Sequence, residues 1–143
     1  MKIIIPLILS LLFLGCNKEE IIDPTSLLIN AKGWYTAEMT RTDLDTGSKL
    51  TSEAPYIIIG EYGSGFKLKD DGVCHINYSD GSHQIVEGSI TRKWELENNT
   101  NIIFTSEIAA DINAEILEIN EALLHISYVD ADDIWEYKLK RIE

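Results

Sequence analysis

Beyond Gly33 apolar and polar residues alternate with a period of two, and turn residues punctuate the chain about every 8–12 positions. That pattern predicts half-buried antiparallel strands rather than helices. Strands are expected near residues 34–40, 55–60, 65–69, 73–78, 83–88, 91–97, 101–106, 114–119, 123–129 and 134–142, some of them merging. Before them, Asp23-Pro24-Thr25 offers a helix start, and Leu27, Leu28 and Ala31 form one apolar side, so residues 24–31 read as a short helix. Residues 108–114 are the other stretch with helical spacing.

Parity fixes several hairpins, because a correct register puts the apolar residues of both strands on one face. An Asp70-Asp71-Gly72 turn places Leu68 opposite Cys74 and Phe66 opposite Ile76, with Lys67 and Lys69 outward. The Asp80-Gly81 pair is a two-residue hairpin signal that sets Ile76 against Ile85 and Tyr78 against His83. An Asn98-Asn99-Thr100 turn brings Trp94 to Phe104 and Leu96 to Ile102. A four-residue loop at 130–133 puts Tyr128 opposite Trp135, Ile126 opposite Tyr137 and Leu124 opposite Leu139. A sheet of about eight to ten such strands must curl to hide its edges, and neighbour-to-neighbour hairpins make an antiparallel up-and-down β-barrel the economical solution. A two-sheet sandwich is the alternative architecture.

The N-terminus has a different character. Residues 3–14 are apolar except for Pro6 and Ser10, and the run ends in Gly15 and Cys16. It is shorter than the roughly 20 residues that a membrane-spanning helix needs, so it reads as a signal peptide. Leu12-Phe13-Leu14-Gly15-Cys16 resembles a bacterial lipoprotein signal, with Phe13 where Leu is usual. The resemblance implies cleavage of residues 1–15, lipidation of Cys16, a tether over 16–23, and an exported protein held on the bacterial outer membrane by its acyl chains. Lys18-Glu19-Glu20 resembles the Lys-plus-acidic signal that sends some lipoproteins to the cell surface; a plain solvated tether is the alternative.

The body, residues 24–143, has a family resemblance of its own. "LLINAKGWYTAEM", "GFKLKDDGVCHINY", "RKWELENNTNIIFT", "EILEINEALLHISYV" and the terminal "WEYKLKRIE" follow one another in the order found in the lipocalin-like lipoproteins of Gram-negative bacteria. Trp34, Phe66, Asp71, Gly72, Trp94, Leu117, Leu124 and Tyr137 occupy the pattern positions. The resemblance implies an all-β, lipocalin-like antiparallel up-and-down barrel of about eight strands with a short N-terminal helix. It also implies binding of a small apolar molecule, without naming it, because the family mostly lacks assigned ligands.

Composition narrows the function classes. The chain has 143 residues, with 24 acidic and 12 basic side chains for a net charge of -12. Such a surface repels phosphate backbones, so no nucleic-acid partner is expected. With Cys16 lipidated, Cys74 has no disulfide partner, and its place on an apolar strand reads as buried packing rather than a reactive thiol.

Neither an enzyme nor a cofactor is expected. His75, His83 and His125 have no metal-ligand spacing, and no nucleophile elbow, phosphate loop or CxxC pair occurs. The Tyr78 and His83 pair reads as a solvated strand end. Asp43-Leu44-Asp45, Asp70-Asp71 and the acidic stretch at 130–133 complete no Ca²⁺ loop, and turn chemistry explains their Asp residues. Trp34, Phe66, Leu68, Ile76, Tyr78, Trp94, Leu96, Phe104, Ile126, Tyr128, Trp135 and Tyr137 are the expected lining of the interior. They line a pocket for a small hydrophobic or amphipathic ligand, or they fill the barrel, in which case the protein is an interaction module for an unknown protein partner.

Overall fold

The fold is that of a computed structural model, which describes residues 23–53, 57–77 and 90–143. The expected signal segment, Cys16, Tyr78, His83, Ile85 and the strand expected at 83–88 lie outside the described residues. Among the described residues one helix, α1 (Pro24–Asn30), precedes eleven strands. They are β1 (Gly33–Asp43), β2 (Lys49–Ser52), β3 (Ile57–Ile58), β4 (Glu61–Tyr62), β5 (Gly65–Leu68), β6 (Val73–Asn77), β7 (Thr91–Glu97), β8 (Asn101–Thr105), β9 (Ile112–Ile119), β10 (Leu123–Asp130) and β11 (Asp133–Ile142).

Eight of these strands close an antiparallel up-and-down barrel. Sheet order runs β11-β10-β9-β8-β7-β6-β5-β1, and β1 pairs with β11 along its whole length, from Gly33 opposite Ile142 to Asp43 opposite Asp133. On its other side β1 divides. Trp34 and Tyr35 face Phe66 and Gly65 of β5, whereas residues 39–42 pair with β2. Closure is tightest where Gly65 meets β1: a Cβ there would collide with the Trp34 carbonyl oxygen and lie 2.9 Å from the Tyr35 Cα. Only glycine lets the two backbones approach so closely.

Three of the hairpin registers read from parity hold. Leu68 pairs with Cys74 and Phe66 with Ile76; Trp94 pairs with Phe104 and Leu96 with Ile102; Tyr128, Ile126 and Leu124 pair with Trp135, Tyr137 and Leu139. Their inward side chains form one buried cluster that includes Trp34, Phe66, Phe104, Leu124, Ile126 and Tyr137. Phe66 and Phe104 meet edge to face at 5.7 Å, the geometry that the aromatic quadrupole favours.

Helix α1 covers the end of the barrel where β1 begins. The Asp23 side chain caps it by accepting from the Thr25 backbone N–H at 3.1 Å, and Pro24 occupies the first turn. Seven residues are too few for a helix to stand alone in water. It is held by burial of Leu27, Leu28 and Ala31 and by the Trp34 indole N–H, which donates to the Leu28 carbonyl at 3.2 Å.

Several expectations need correction. The strand expected over 55–60 is broken: Ile59 (φ 44°) and Gly60 (φ 73°) form a two-residue turn between β3 and β4, which pair only with each other. β2 was not expected, because Lys49–Ser52 has no buried face to impose alternation. Residues 108–114 are not helical; the chain turns through the first half and enters β9 at Ile112. The loop at 130–133 is two residues shorter than expected, since Asp130 pairs directly with Asp133 and Ala131 takes φ 52°. Leu117 stands at a bulge of β9 and is 44% exposed.

The expected pairing of Ile76 with Ile85 and of Tyr78 with His83 falls outside the described residues. The Ile76 N–H donates to the Ile90 carbonyl at 2.8 Å, and β6 runs against β7 with Cys74 opposite Arg92.

Candidate functional site

The two ends of the barrel differ in chemistry. At the helix end the inner residues are apolar except for Thr36, whose buried hydroxyl has no partner among the described residues, and the indole of Trp94 is fixed by a 2.8 Å hydrogen bond to the Lys69 carbonyl. The opposite end, the mouth, is where β1 and β10 finish and β7, β9 and β11 begin. Here charged and aromatic side chains share the inner face.

Arg92 is the buried charged residue among the described residues, at 4% exposure. Alternation along β7 turns it inward with Trp94 while Thr91, Lys93 and Glu95 face solvent. One terminal guanidinium nitrogen donates to Glu61 Oε1 at 3.0 Å and the other to the Ala110 carbonyl at 3.1 Å. Its Nε is buried without a hydrogen-bond partner among the described residues. An arginine in an apolar core is costly unless paired, and Glu61 on β4 supplies the pairing charge.

The hairpin that carries Glu61 sits within the mouth. Ile58 and Ile59 are fully buried and join the core cluster. A Cβ added at Gly60 would lie 3.2 Å from Ile112 Cδ1 and 3.4 Å from an Arg92 Nη atom. The Gly60 backbone also lies beside the Tyr128 hydroxyl, where it opposes part of the rise in its pKa.

Beside the hairpin stands an aromatic wall. Tyr128 and Tyr137 stack at 5.9 Å with their hydroxyls 3.4 Å apart. Trp135 stacks on Tyr137 at 6.3 Å, and the Arg41 guanidinium lies 5.5 Å over the Trp135 ring while pairing with Asp133 at 2.7 Å. Burial raises the pKa of both tyrosines above the ordinary phenol range, so they are neutral hydrogen-bonding groups. The Asp133 contact raises that of Arg41. Leu44 and Ile108, in the connections at this end, are exposed at 50% and 95%.

Of the twelve residues expected to line the interior, Trp34, Phe66, Leu68, Ile76, Trp94, Phe104, Ile126, Tyr128 and Tyr137 are brought together in the buried cluster. Leu96 and Trp135 pack at its edge, and Tyr78 lies outside the described residues. Cys74 is fully buried, and desolvation raises its thiol pKa well above the ordinary value. Sequence reasoning missed Arg92, although the parity that turns Trp94 inward also turns Arg92 inward. It missed Glu61 because nothing local marks a short hairpin folded into a barrel.

A separate open cleft of about 410 Å³ lies at the helix end, lined by Tyr35, Glu121, Leu123, Lys140 and Arg141 among others. None of the expected interior residues lines it. Arg141 is engaged there with the Glu121 and Asn30 carbonyls, both at 3.4 Å.

The chain matches no known family model, no curated protein and no solved structure. The geometry itself is that of an eight-stranded, closed, antiparallel up-and-down barrel with an N-terminal helix, consistent with a lipocalin-like fold.

Proposed function

We propose that this protein is a non-enzymatic cell-envelope lipoprotein, anchored in the outer membrane through acyl chains on Cys16, whose barrel takes up a small hydrophobic or amphipathic molecule. The observation that carries the binding reading is the mouth of the barrel. A buried cation, two neutral phenols and a stacked indole face inward at one end of an interior that is otherwise apolar among the described residues except for Thr36. Apolar burial at roughly 25 cal/mol per Å² would supply affinity, and the few polar groups would orient the ligand. The anchor rests on Leu14-Gly15-Cys16 at the end of an apolar run.

The test is native mass spectrometry with organic extraction on the protein purified from its own host. A stoichiometric small molecule that survives gentle desalting supports the reading, and a clean apo mass removes its support.

A second reading is favoured by the continuity of the core, in which Ile58 and Ile59 pack against the inner-face residues. In it the barrel is filled, and the protein docks a partner through its acidic surface or its exposed apolar side chains. A partner captured together with a clean apo mass would select it.

A further inference from the structure

The mouth of the barrel holds a segment of the chain itself. β3 and β4 pair only with each other and belong to a sheet separate from the barrel, so the hairpin can leave without breaking a barrel strand pair. It nevertheless fills the interior with two fully buried isoleucines and offers a carboxylate to Arg92, the buried cation among the described residues. An apolar body followed by a carboxylate is the outline of an amphiphilic acid.

Three details make the hairpin an imperfect occupant. Ile59, a β-branched residue, is held at φ 44°, in the left-handed region that such side chains avoid. Glu61 reaches Arg92 through a single terminal nitrogen, leaving the adjacent Nε buried and without a partner among the described residues. A carboxylate free of the backbone can take the Nε and Nη pair side-on, the stronger bidentate form. Finally, the Arg92 side chain is 1% exposed and that of Glu61 20%. The cation is therefore fixed in the wall, while its partner sits on the side open to exchange.

We propose that the β3–β4 hairpin is a built-in stand-in for the ligand. The ligand class is an amphiphile with a carboxylate head, which takes Arg92 over from Glu61 while its tail takes the space of Ile58 and Ile59. This rests on the reading that the barrel binds an amphipathic molecule. Because the site is competent only when the hairpin is out, apparent affinity is the intrinsic affinity reduced by the open fraction.

The experiment titrates the full chain with sodium dodecanoate and with dodecan-1-ol, for the unaltered sequence, Glu61→Gln and Gly60→Ala, with folding checked by circular dichroism. Dodecanoate should bind at least about tenfold more tightly than the alcohol, and Glu61→Gln should tighten dodecanoate by about a further tenfold by removing the internal competitor. Gly60→Ala, which pushes a methyl group toward Arg92 and Ile112 at φ 73°, should tighten both probes by unseating the hairpin. Equal binding of acid and alcohol, or no tightening of dodecanoate in either variant, overturns the stand-in while leaving a barrel that binds apolar molecules. Absence of binding by all three proteins overturns both.

Discussion

The Trp34 indole N–H donates to the Leu28 carbonyl oxygen at 3.2 Å, tying the first strand of the barrel to the helix that covers its end. Both residues are fully buried. Trp34→Phe keeps most of the apolar area and leaves one helix carbonyl unsatisfied, an expected loss of about 1 kcal/mol. Trp34→Ala removes the ring as well and should cost about 3–5 kcal/mol. Urea unfolding curves of the two variants check this ordering, and equal losses would show that the hydrogen bond and the ring do not act separately.

Gly65→Ala tests closure of the barrel. Its methyl group would meet the Trp34 carbonyl oxygen and the Tyr35 Cα, backbone atoms that cannot swing aside as a side chain does. The expected destabilisation is about 1–3 kcal/mol, as for other overpacked sites, read from the unfolding midpoint. A midpoint unchanged within error would contradict the tight approach of β1 and β5.

Cys74 should be inert in the native protein. It is fully buried, and desolvation holds its thiol well above the ordinary pKa, with the Arg92 charge only a smaller opposing influence. Nucleophilic attack requires the thiolate. Iodoacetamide followed by peptide mass mapping should therefore leave Cys74 unmodified under native conditions and label it in urea.

Asp43 gives a pH signature. Its carboxylate accepts from the Thr46 backbone N–H at 2.7 Å and from the Thr46 hydroxyl at 2.8 Å, and these bonds hold its pKa below the ordinary 3.8. A carboxylate depressed on folding stabilises the native state above its unfolded pKa, and that contribution is lost as pH falls through the depressed value. Thr46→Ala removes the hydroxyl donor and should move the Asp43 titration, followed by carboxyl-carbon NMR, upward toward the ordinary value.

The barrel was legible in the sequence wherever a strand buries one face. Trp94 and Leu96 opposite Phe104 and Ile102, or Tyr128 opposite Trp135, allow no other parity, because a one-residue slip would send every apolar side chain outward. Lys49–Ser52 carries no such constraint, and its pairing to β1 is set by the turn before it, where Asp43 and Thr46 bond locally. The aromatic wall followed from the same alternation. Glu61 did not: its meeting with Arg92, 31 positions away in sequence, depends on how a hairpin outside the barrel sheet folds into the mouth, which no local period encodes.

Lipid anchoring is tested by intact mass of the membrane fraction. The expected species begins at Cys16 and carries acyl chains, and Cys16→Ala should release the protein from the membrane. An unmodified Cys16, or membrane association unchanged in the variant, would remove the anchor.

The most direct test of the central claim is a methyl and side-chain NMR map of the full chain titrated with dodecanoate. The account predicts shifts concentrated at Arg92, Ile112, Tyr128 and the buried isoleucines of the β3–β4 hairpin. Shifts confined to the outer cleft around Lys140 and Arg141, or none at all, would contradict it.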